Sequence, residues 1–70
     1  MDIEKQIGIN FARIRREKLL TQEKLAEITN LSQQYLSDME RGKRNPTIKT
    51  LQKIAEALDI EFIELLKPSE

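Results

Sequence analysis

The sequence predicts an all-α fold, a compact bundle of five short helices. Three observations predict it. Apolar residues recur three and four apart along nearly the whole chain, and no stretch alternates as a strand would. Residues that cap helix N-termini stand ahead of the periodic segments at Thr21, Ser32 and Thr47. Residues that end helices, Asn30 and Gly42, stand behind them. At 70 residues the chain has length for one domain, assigned to 1–70. A domain of this size buries only about 60% of its unfolded surface, so its core is thin.

The elements follow in order. Ile3, Ile7, Phe11 and Ile14 lie on one face of a first helix over about 3–18. Thr21 caps a second helix over about 22–29, with Leu25 and Ala26 turned inward. Asn30 tolerates the left-handed conformation that ends it. Leu31 lies in the connection, and Ser32 caps a third helix over 33–41 whose buried pair is Leu36 and Met39. Gly42 stops that helix, and Lys43 to Pro46 form a polar loop. Thr47 caps a fourth helix with Ile48, Leu51, Ile54, Ala55 and Leu58 on its inner face. Asp59 and Ile60 break the pattern. A fifth short helix then holds Phe62, Ile63, Leu65 and Leu66 before Pro68 stops it.

Composition excludes several classes of function. There is no cysteine, hence no disulfide framework and no thiolate chemistry. There is no histidine, the commonest metal ligand and general base. No metal-ligand spacing appears, and the carboxylates are scattered, so an enzyme is the weakest reading. No cofactor and no small-molecule ligand are expected. No apolar run exceeds four residues, which excludes a membrane span, and the N-terminus lacks a signal peptide's apolar stretch. A soluble cytoplasmic protein with no membrane partner is the expectation.

The net charge is zero, yet it is unevenly spread. Residues 13–53 carry ten Lys or Arg against five acids, whereas residues 54–70 carry one Lys against five acids. A basic middle suits phosphates, and an acidic end must point away from them. A solvated surface of mixed charge has the same composition.

The informative feature is the pair of short helices joined by Asn30-Leu31-Ser32. Two helices joined so briefly cross at a large angle, as in a DNA-binding helix-turn-helix. An ordinary helical hairpin has the same spacing. With Leu36 and Met39 inward, the other face of the third helix presents Gln33, Gln34, Ser37, Asp38 and Arg41. Glutamine can pair bidentately with adenine in the major groove, serine can donate or accept, and aspartate can accept from cytosine. Adjacent glutamines are equally at home on a solvated helix. Gln22 follows the cap of the second helix, where free N–H groups favour an anion. Arg41, Lys43, Arg44 and Asn45 lie just past the third helix, within reach of a DNA backbone. Thr21 and Tyr35 complete the phosphate-side candidates.

The run Arg13-Ile14-Arg15, Leu20 to Ala26, Leu31-Ser32 with Leu36-Ser37, Glu40 to Ile48, and Leu51 with Ile54 to Leu58 resembles the phage-repressor and Cro-type helix-turn-helix family. The resemblance covers about residues 7–66. It implies a lambda-repressor-like domain, homodimeric binding to a palindromic double-stranded operator, and transcriptional control. It places Gln22 and the loop after Gly42 on phosphates, and Gln33, Gln34, Ser37 and Asp38 in the major groove. It pairs Arg15 with Glu40 as an internal ion pair. The Tyr35-Leu36-Ser37 run with Glu40-Arg41-Gly42 and Arg44-Asn45-Pro46 is similar to the controller proteins of restriction–modification systems. A phage or mobile-element repressor and an antitoxin-type autoregulator fit the same residues. The length leaves no room for a ligand-binding domain, so regulation by concentration and cooperative assembly is expected.

Three positions depart from the family pattern. Leu19 and Asn30 stand where glycine is usual, so a leucine faces strain if its backbone requires positive φ. Asp38 puts an acid on the base-reading face, where it must accept from cytosine or pair with a neighbouring base reader or Arg41. Ile28 projects from the second helix at a usually polar position. Ile60, Phe62 and Ile63 crowd the acidic end and are the dimer-interface candidates, although they could instead simply close the core. The rival from another class is a protein-interaction module, such as an antitoxin or coregulator, with the same fold and little DNA binding.

Overall fold

The computed structural model describes residues 2–68. Four α-helices follow one another: α1 (Ile3–Glu17), α2 (Gln22–Thr29), α3 (Gln33–Glu40) and α4 (Ile48–Leu58), and a 3₁₀ turn over Phe62–Leu65 follows them. No strand occurs among the described residues.

Each helix starts on a side-chain cap. Thr21 Oγ1 accepts from the Lys24 N–H at 2.9 Å, Ser32 Oγ from Tyr35 N–H at 2.9 Å, and Thr47 Oγ1 from Thr50 N–H at 3.1 Å. Asp2 does the same for α1, its Oδ1 accepting from Glu4 and Lys5. Such caps satisfy donors that have no partner inside the helix.

All four α-helices end on a residue in the left-handed region, and three of them close alike. Leu19 N–H donates to Arg16 O while Leu20 N–H reaches back to Arg15 O. Gly42 with Lys43, and Asp59 with Ile60, repeat that paired closure at the ends of α3 and α4. The φ values are +60° at Leu19, +75° at Gly42 and +59° at Asp59. Glycine carries no penalty there, but an L-residue pays about 1–2 kcal/mol. Leu19 has no packing to set against that, because its side chain is 90% exposed. Leu19→Gly should therefore stabilise the fold, by about 0.5–1 kcal/mol after glycine's extra unfolded freedom is subtracted. The melting temperature should rise by about 3–7 °C. A thermal melt with an unchanged or lower midpoint would contradict the strain.

The core is one cluster. Phe11 of α1, Leu25 of α2, Leu36 and Met39 of α3, Ile54 and Leu58 of α4, and Leu65 of the 3₁₀ turn are all essentially inaccessible. α1 packs on α3 and on the 3₁₀ turn, α2 on α3 and α4, and α4 on the 3₁₀ turn. Gly8 marks the tightest approach. A Cβ there would meet the backbone carbonyl oxygen of Met39 and lie 2.7 Å from that of Glu40.

Three expectations need correction. The fifth α-helix is a single 3₁₀ turn, closed by Glu64 N–H to Glu61 O and Leu66 N–H to Ile63 O. Pro68 has no N–H with which to bond the Glu64 carbonyl and extend an α-helix. The Leu65 and Lys67 carbonyls accept instead from the buried Asn10 amide, at 2.9 and 2.7 Å. Ile48 is 66% exposed, because it occupies the first position of α4, before the helix reaches the core at Leu51. Ile3 is largely exposed for the same reason, one turn ahead of the first buried residue of α1.

Candidate nucleic-acid interface

The turn between α2 and α3 is held by three residues. Thr29 is buried, and its hydroxyl donates to Leu25 O at 2.6 Å while accepting from Leu31 N–H at 3.3 Å. Both roles of a buried hydroxyl are thereby satisfied. Asn30 takes φ +61°, the left-handed step that lets the chain reverse. Leu31 packs partly into the core, and Ser32 opens α3.

α3 then shows two faces. Leu36 and Met39 are buried, while Gln33 and Gln34 are exposed at its first turn. Ser37 and Asp38 follow on the outer face, half-buried. The expected span runs to Arg41, but the helix stops one residue earlier and Arg41 is its C-terminal cap, whose N–H still closes on the Ser37 and Asp38 carbonyls.

Asp38 is paired. Its Oδ1 accepts from Gln34 Nε2 and from Arg41 Nη2, both at 2.9 Å. Arg44 Nε lies 3.8 Å from Oδ2, and the Arg44 guanidinium sits over the Tyr35 ring, 4.9 Å from its centroid. The Arg41 hydrogen bond, and after it the one from Gln34, hold the Asp38 carboxyl below the usual carboxylate range. Asp38 is thus a full carboxylate at neutral pH.

Arg41, Lys43, Arg44 and Asn45 form an exposed polar edge beside this face. Thr21 is exposed, and Gln22 is half-buried at the first position of α2. Thr21 Oγ1 already accepts the capping bond, which leaves its hydroxyl hydrogen to donate. Behind the edge, Arg15 grips Glu40. Nε to Oε2 is 2.6 Å, Nη2 to Oε1 is 3.4 Å, and Nη1 donates to Leu20 O at 2.8 Å. Their side chains are 14% and 10% exposed, so the pair ties α1 to the end of α3 from inside. Away from this edge, Ile60 packs partly against the core, whereas Phe62 and Ile63 remain 36% and 55% exposed. No helix among the described residues is long and apolar enough to cross a membrane.

Comparison with known proteins adds to this geometry. A helix-turn-helix family model matches residues 11–65. The chain belongs to the helix-turn-helix family. It is 53% identical over 70 residues to an uncharacterized HTH-type transcriptional regulator, y4dJ, of Sinorhizobium fredii, covering all of this chain and 91% of that one. The crystal structure of the restriction–modification controller protein C.AhdI from Aeromonas hydrophila matches with a TM-score of 0.85 at 39% identity, over 89% of this chain and 94% of that one. The controller protein C.Esp1396I, crystallised as a tetramer on its natural 35-base-pair operator, matches with a TM-score of 0.82 at 36% identity, over 96% of this chain and 99% of that one.

Three residues that build this helix-turn-helix domain escaped the sequence reading. Gly8 lets α1 touch the backbone of α3, Thr29 closes the turn, and Asn10 fastens the C-terminal segment. For Gly8 a signal exists, since a glycine inside a helical pattern costs about 1 kcal/mol against alanine and usually has a packing reason.

Proposed function

We propose that this protein is a transcriptional regulator that binds a short palindromic operator in double-stranded DNA as a homodimer, with α3 in the major groove. The observation that carries the reading is the outer face of α3. Its first turn offers two exposed glutamine amides, and the cations Arg41, Lys43 and Arg44 stand at its far end. Amides suit base edges, and cations suit phosphates. The operator complex of C.Esp1396I supports the same use of this fold.

In this reading Gln33, Gln34 and Ser37 face bases. Arg41, Lys43, Arg44 and Asn45, with Thr21 and Gln22 across the groove and Tyr35 supporting Arg44, hold the backbone. Arg15 and Glu40 set the tilt of α3 without touching DNA. Phe62 and Ile63, continued by Ile60, supply an apolar face for the second protomer. The acidic C-terminal part then lies away from the DNA, which suits its charge.

Salt dependence tests the reading. Three cations per protomer make about six phosphate contacts in a dimer, so log K should fall against log[salt] with a slope of about −5. Between 50 and 200 mM salt, affinity for a selected operator should drop by about a thousandfold. Duplex binding that is absent at low ionic strength, or indifferent to salt, would instead favour a protein-interaction module.

A further inference from the structure

The Asp38 carboxylate stands on the proposed base-reading face, and three outward side chains converge on it. Gln34 Nε2 and Arg41 Nη2 each reach Oδ1 at 2.9 Å, and Arg44 Nε approaches Oδ2 at 3.8 Å. None of these contacts ties one helix to another, so the cluster contributes little to the fold. We propose that Asp38 is a specificity-positioning residue, which orients the Gln34 amide so that α3 selects adenine at one base pair of each half-site. The inference rests on α3 entering the major groove.

The chemistry of the amide carries the argument. An ionised carboxylate only accepts hydrogen bonds, so Gln34 must turn its nitrogen, not its oxygen, toward Asp38. One N–H is spent there. The other N–H and the carbonyl oxygen remain, a donor beside an acceptor. Adenine offers the complement, the N7 acceptor beside the N6 donor. Guanine offers two acceptors, N7 and O6, and would set O6 against the glutamine oxygen. An amide with both N–H groups free loses part of this preference, because its nitrogen end can then donate to both guanine acceptors.

The same carboxylate restrains two arginines. Arg41 donates to it, and Arg44 is held between it and the Tyr35 ring, 4.9 Å from the guanidinium. Arginine pairs bidentately with guanine and binds any phosphate. Holding both side chains in place limits guanine capture and indiscriminate binding. Direct reading of cytosine by Asp38 competes with these bonds, since Oδ1 already accepts two of them.

The test uses the full chain as Asp38→Ala, Gln34→Ala and the double variant. Each is titrated against a duplex selected from a random pool, against single-base variants of it, and against an unrelated duplex. Alanine is the strongest helix former, so α3 persists in all three. Asp38→Ala should cut adenine-over-guanine discrimination at one base pair per half-site by about tenfold. It should also raise affinity for the unrelated duplex several-fold, since one anion has left the interface. In the Gln34→Ala background it should change discrimination no further. The inference fails if Asp38→Ala leaves discrimination intact at every position. It fails equally if the loss falls on a cytosine and persists without Gln34. Should the parent chain bind no duplex at low salt, the operator-binding reading itself falls, and that outcome is visible before any variant is compared.

Discussion

Gly8→Ala is expected to destabilise this domain by about 2 kcal/mol, although alanine is the better helix former. Two effects oppose one another. Alanine in a helix interior gains about 1 kcal/mol over glycine. Against that, the added Cβ would sit 2.7 Å from Glu40 O and against Met39 O. Both obstacles are backbone, so no rotamer change relieves them. The helices α1 and α3 must separate, and overpacking of this kind costs about 1–3 kcal/mol, occasionally more. With two carbonyls to clear, the upper end applies, and about 2 kcal/mol remains after the propensity gain. A thin core leaves only a few kcal/mol in total, so the melting temperature should fall by about 10 °C. An unchanged or raised urea midpoint would show that α1 and α3 slide apart freely. Operator affinity should fall further than the fraction unfolded accounts for, because α3 is displaced in the molecules that stay folded.

The difference between Gly8 and the caps explains what the sequence made legible. Thr21, Ser32 and Thr47 act on an N–H three residues ahead, so residue type and position suffice to read them. Asp38 pairs four residues back and three ahead along one helix face, and pairing was one of the two roles its residue type left open there. The strain at Leu19 was legible as a conditional, and the observed φ of +60° supplies the condition. Distant contacts were not legible. Asn10 bonds carbonyls 55 and 57 residues away, and nothing local in either segment announces it. That contact is also what an α-helical expectation for the C-terminal segment leaves out. Its apolar spacing fits both helix types, and the choice was made by Pro68 and by Asn10 claiming its carbonyls. Ile48 departs from the expected core because periodicity identifies a face but not how far along the helix the core extends.

Removing either partner of the Arg15–Glu40 pair is the second large effect, and the two removals should not be equal. Both side chains are nearly buried, and breaking a buried pair leaves a charge uncompensated, typically at 3–5 kcal/mol. In Glu40→Ala the stranded guanidinium keeps its bond to Leu20 O and faces the carbonyl end of α3, which attracts a cation. About 3 kcal/mol is expected. In Arg15→Ala the stranded group is a carboxylate at the last residue of α3, where the helix dipole repels it. The apolar stem of Arg15 is lost as well. Arg15→Ala should therefore cost more, by about 1 kcal/mol, and the double variant should recover part of the loss. Urea titrations of the three variants give the order. Equal single costs that simply add would mean the pair is a solvated contact. On the proposed reading, in which Glu40 anchors α3 without facing a base, the folded fraction of Glu40→Ala should bind every operator variant more weakly by a similar factor, leaving the base preference intact. A change of preference at a single base pair would put Glu40 among the base readers and take the anchoring role from it.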